Sequence, residues 1–179
     1  MKETAAVFGL TALIVAGALS PSAEPALPWA PVKGRIMTRW AADVRPDRVL
    51  PEYPRPQMVR KKWLNLNGLW DYAITARDAG RPAEWDGKIL VPFAVESALS
   101  GVGRPVGSAQ ALWYRRTVDL PKKWRRGRVL LHFGAVDWES AVWVNGREAG
   151  THRGGYDPFT FDITVDVTRL ARFIREQNQ

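Results

Sequence analysis

Asp137, Trp138 and Glu139 follow one another in the chain, and His152, Tyr156 and Asp157 flank the pair Gly154-Gly155 a short way downstream. A tryptophan face beside a carboxylate suits a sugar: the C–H faces stack on the ring while the acid takes the hydroxyls. That gives Asp137-Trp138 a substrate-binding reading, with Tyr156 as a further contact. The competing reading is structural, with Asp137 and Trp138 bracing a loop and His152 and Tyr156 bracing the glycine corner. Asp137 and Glu139 also share one face of an extended segment at about 7 Å between Cα atoms, a spacing open to a carboxylate pair. Nothing in the sequence marks either as buried with a raised pKa, so hydrolysis by this pair is the weaker reading. The chain has no cysteine and two histidines, which leaves no thiolate or histidine-rich metal site. No cofactor and no metal are expected.

The elements that must position these groups lie in residues 136–164. Asn145-Gly146 is the dipeptide best suited to positive φ at both central residues of a type I′ turn. Ala141, Val142, Trp143 and Val144 precede it as β-branched and aromatic strand formers. In residues 159–167, Phe159, Phe161, Ile163, Val165 and Val167 alternate with polar residues, the period of a half-buried antiparallel strand. The double glycine permits φ > 0 at a tight corner, and Pro158 delays the strand after it.

Upstream segments supply strands for this unit. Trp70, Tyr72 and Ile74 fall on one face of residues 69–75; residues 88–91 are a short apolar strand ended by Pro92. Residues 112–120 and 128–136 alternate again. Residues 79–86 form a polar loop, and residues 93–111 a long connection of the kind that carries function or moves. Trp70, Tyr114 and Trp143 are expected in the core. Short strands at regular spacing, with no amphipathic helix between them, predict an all-β antiparallel sandwich.

Residues 5–19 are an apolar run, shorter than the ~20 residues that span a bilayer. It has the form of a secretory signal over residues 1–20, giving a secreted or periplasmic chain with no membrane association after cleavage. Eight prolines (21, 25, 28, 31, 46, 51, 54 and 56) make residues 21–56 an extended arm, with Trp29 and Trp40 as anchors. The sandwich then occupies residues 57–168. Residues 169–179 form a tail that reads as an amphipathic helical turn or two. A net charge of +8 is spread over scattered basic pairs with no nucleic-acid motif, so no nucleic-acid partner is expected.

Four segments in order carry a family resemblance: YPRPQMVRKKWLNLNGLWDYA at 53–73, ILVPFAVES at 89–97, LWYRRTVDLP at 112–121, and the VWVNG, GGY-x-PF and FDIT motifs within 137–164. Together they resemble the N-terminal sugar-binding domain of glycoside hydrolase family 2, which includes β-galactosidases, β-glucuronidases and β-mannosidases. The resemblance implies a jelly-roll sandwich, a β-linked carbohydrate as ligand, and a catalytic barrel domain as partner. It also implies two catalytic glutamates on that barrel, neither matched here, so this chain is expected to be inactive alone. By the same resemblance Glu96, in the long loop, would accept hydrogen bonds from sugar hydroxyls; otherwise it is a solvated or arm-binding carboxylate. The family's closing strand is expected to be missing, making the chain a truncated and poorly stable sandwich. The rival readings are a free-standing carbohydrate-binding module and a basic module for anionic polymers.

Overall fold

A computed structural model of the chain describes residues 29–52, 60–121, 123–124, 127–166 and 172–177, the last stretch as backbone only. The expected signal at residues 1–20 lies outside the described residues. Among those described, no helix is long and apolar enough to cross a membrane.

Asn145 and Gly146 take φ of 53° and 83°, the positive pair a type I′ turn requires. They join β5 (Glu139–Val144) to β6 (Arg147–Arg153). Around this hairpin an antiparallel sheet assembles with β1 (Gly68–Ala76), β2 (Gly87–Val91), β3 (Gln110–Arg116) and β8 (Arg172–Gln177) in the order β2-β1-β3-β8-β5-β6. A second, two-stranded sheet pairs β4 (Leu130–Phe133) with β7 (Phe159–Asp162). Trp70, Ile89, Leu112, Val142 and Val144 of the large sheet meet Val129, Leu131 and Ile163 of the small one in a single core. The sandwich predicted from strand spacing is present.

Two expectations about the chain's end are corrected. Arg172–Gln177 is a strand, not a helical turn, and it is not a tail outside the domain. It lies between β3 and β5, with Tyr114 opposite Ile174 and Val142 opposite Ile174 from the other side. Without it, the facing edges of β3 and β5 would each leave a row of N–H and C=O groups unpaired, and the pairing outweighs a short segment's weak helical period. Among the described residues, a strand thus fills the slot between β3 and β5 that was expected to be empty. The strand expected over residues 159–167 stops at Asp162. Its carboxylate accepts from the Thr164 N–H at 3.0 Å, and Thr164–Asp166 turn as a 3₁₀ segment that leaves Val165 76% exposed.

Residues 29–35 of the expected arm contact the loop at residues 98–103. Trp29 donates its indole N–H to Leu99 O at 3.1 Å and covers Gly101, where a Cβ would collide with the ring. The Val32 N–H reaches Ala98 O at 2.9 Å, and the Arg35 guanidinium reaches Gly103 O at 2.8 Å. Trp40 is no anchor: it stands 61% exposed in the 3₁₀ turn Arg39–Asp43, under the Arg39 guanidinium. Further on, half-buried Arg116 donates to Leu66 O and Asn67 O at 2.6 and 2.9 Å, tying the strand entry to β3.

Trp70 and Tyr114 join the main core as expected, their rings edge-to-face. Trp143 does not. Strand alternation sends it to the other face of the large sheet, where it stacks on buried Trp113 at 5.7 Å beside Ala73, Ala111 and Trp85.

Candidate functional site

The expected sugar-binding residues fall in two places. Asp137, Trp138 and the Gly154–Tyr156 segment meet at one corner. There the Gly154 N–H donates to Trp138 O at 2.9 Å, and the Asp137 carboxylate lies against Gly155, where a Cβ would come within 2.6 Å of its Oδ1. Gly154 has φ +124°, a conformation that favours glycine, so the sequence folds this corner by the device its double glycine suggested. The Asp137-Trp138 peptide is cis.

Behind the corner the hairpin is braced. Glu139 accepts from Arg153 Nε and Nη2 at 3.1 and 2.8 Å across the β5–β6 pair, and Arg77 lies 3.8 Å from its other oxygen. The His152 ring stacks on Phe159 with centroids 4.0 Å apart, and its buried Nε2 has no hydrogen-bond partner among the described residues. His152 thus has the bracing role, while Tyr156 at 96% exposure braces nothing and Trp138 is 41% exposed. Glu139 is held by arginines, so it does not form a carboxylate pair with Asp137. What the corner offers is an indole face, a phenol and an acidic group open to solvent, chemistry suited to hydroxyl-rich ligands.

Glu96 sits elsewhere, exposed at the turn before the 3₁₀ segment Ala98–Ser100. That loop is built on buried Ser100, whose hydroxyl donates to Val95 O or Ser97 O and accepts from the Val102 and Gly103 N–H groups. No contact joins Glu96 to the corner among the described residues. Nor, among the described residues, do three or more His, Asp or Glu side chains gather as metal ligands.

Two further features were missed by sequence reasoning. On the outer face of the large sheet, the Arg115 guanidinium lies 4.3 Å above Trp85 and donates to Asp71, which Lys88 also contacts. Burial works to raise the Asp71 pKa, but the Lys88 and Arg115 hydrogen bonds outweigh it and hold the carboxyl below its usual range. The run Ala111-Leu112-Trp113, apolar without alternation, was the available signal that β3 is covered on both faces. The second feature is a cleft of about 990 Å³ between the sheets, floored by Trp70, Tyr114, Leu131 and Ile163. Trp63 stacks on His132 at its mouth, with centroids 5.3 Å apart. Burial, and then the Arg60 charge, hold the His132 pKa below its ordinary value.

The fold is that of an antiparallel β-sandwich, with an aromatic and acidic corner facing solvent. Residues 91–172 match the family described as glycosyl hydrolases family 2, sugar binding domain. The chain is 28% identical over 118 residues to a β-glucuronidase of Paenibacillus borealis, covering 63% of this chain and 20% of that one. It is 32% identical over 128 residues to the β-glucuronidase of Canis lupus familiaris, covering 63% and 19%. Among solved structures, the Faecalibacterium prausnitzii β-glucuronidase matches with a TM-score of 0.52 and 27% identity over 64% of this chain and 20% of that one. The chain thus spans about a fifth of the length of these relatives.

Proposed function

We propose that this chain acts as the non-catalytic, sugar-facing sandwich of a glycoside hydrolase that cleaves β-linked glycosides, with β-glucuronides as the first substrate class to test. The match of residues 91–172 to the family model supports this, together with relatives named as β-glucuronidases over the matched stretch. The observation that carries it is the corner: Asp137, Trp138 and Tyr156 are brought together and left exposed although two of them are large aromatics. The chemistry of bond cleavage belongs to a catalytic barrel domain that this sandwich supports. Export to the periplasm or the cell exterior fits the apolar run at residues 5–19.

The test uses the purified chain. It should not hydrolyse aryl β-glucuronide or aryl β-galactoside, while glucuronide titrated into it should shift the Trp138 indole resonance. Trp138→Ala and Tyr156→Ala should weaken that binding without altering the fold. Hydrolysis lost on Asp137→Asn or Glu139→Gln would contradict the non-catalytic reading. Binding that follows salt alone, with no sugar preference, would point instead to a basic polymer-binding module.

A further inference from the structure

The two sheets are unequal. Six strands lie on one side of the core and two on the other, and the cleft opens where the small sheet ends. Its floor is made of core residues: Trp70, Leu131 and Ile163 are at most 7% exposed and yet line the cavity. One wall is β4, which pairs only with β7 among the described residues. The Ile163 N–H bonds Val129 O, so Val129, Leu131 and Phe133 turn their backbone groups toward β7. Leu130 and His132 then present N–H and C=O to the free edge, and no described group takes them. Such an edge is a template for one more strand.

Charge selects the occupant. Arg60, Lys62 and Lys123 line the cleft, all exposed and without an acidic partner among the described residues, and the one acidic residue in its lining is Asp137. A second copy of this chain, at +8, would bring like charge to the rim. We propose that the cleft is a strand-acceptor groove for an extended, acidic segment of a partner domain. That segment pairs with Leu130 and His132, sends alternate apolar side chains onto Trp70 and Leu131, and sets its carboxylates against Arg60, Lys62 and Lys123. The groove stands on this geometry; only the source of the strand rests on the multidomain reading above.

The full chain is titrated with a synthetic peptide of alternating valine and glutamate, with an alternating valine and lysine peptide as control. The glutamate peptide should bind and slow hydrogen exchange at the Leu130 and His132 amides. Arg60→Glu with Lys62→Glu, both on exposed side chains, should weaken it about tenfold or more, while Trp138→Ala leaves it unchanged. The proposal is overturned by no binding, by equal binding of the lysine peptide, or by binding that leaves those amides exchanging as before. It is equally overturned if the chain alone self-associates and protects them. The corner and the groove share Asp137 and Gly155, but Trp138 does not line the cleft, so Trp138→Ala tells failure of one reading apart from failure of the other.

Discussion

The large sheet and the small sheet bury the same core by different means. In the large sheet every internal strand has two hydrogen-bonded neighbours, and β8 sits at the centre between β3 and β5. In the small sheet β4 has one, and the residues beneath it line a cleft. Apolar burial and backbone pairing are thus satisfied together on one side and only in part on the other. Stability resides mainly on the complete side, and room for a partner lies on the open one.

Substitutions sharpen that contrast. Trp70→Ala, on the large sheet and 5% exposed, should cost about 3–5 kcal/mol, whereas Leu130→Ala, 41% exposed on β4, should stay within about 0.5 kcal/mol. Chemical denaturation of both variants checks this, and similar losses would erase the distinction. Next in size is Gly150→Ala. Gly150 has φ +152° and its added methyl would enter the Phe161 ring, so the change presses β6 against the small sheet. A loss of about 1–3 kcal/mol is expected, and an unchanged denaturation midpoint would show that the two sheets do not bear on each other there.

The smallest effect is the pH response of β4. The His132 pKa is lowered in the folded chain, so as pH falls through the ordinary histidine range of about 6.5 the unfolded chain takes up the proton first. The contribution of neutral His132 is complete above that range and is lost progressively as pH drops toward the folded value. His132→Asn should flatten this slope between neutral and mildly acidic pH. A slope of the opposite sign in the parent chain would contradict the placement of His132 beside Trp63 and Arg60.

Both sheets were legible in part. Asn145-Gly146 announced its hairpin because few dipeptides tolerate two positive φ values, and Trp70, Tyr72 and Ile74 announced the core face of β1 by strict alternation. Trp143 was misplaced because a tryptophan fits either face of a strand, and only the stack on Trp113 decides it. Residues 172–177 read as helical because Phe173 and Ile174 beside spaced arginines satisfy either period over so short a span; a slot between two strands, invisible to local pattern, settled the matter. At the candidate site, Asp137, Trp138 and Tyr156 were singled out by chemistry and lie at one corner, while Glu96 came from family likeness and stands apart. The cleft had no signature at all, since its lining comes from segments far apart in the chain.

Residue-resolved amide hydrogen exchange of the chain alone tests the unequal sandwich most directly. The account predicts slow exchange at the paired amides of β3, β5 and β8, near the limit set by global unfolding, and fast exchange at Leu130 and His132. Fast exchange throughout residues 172–177, or protection of Leu130 and His132 equal to that of β3, would contradict it.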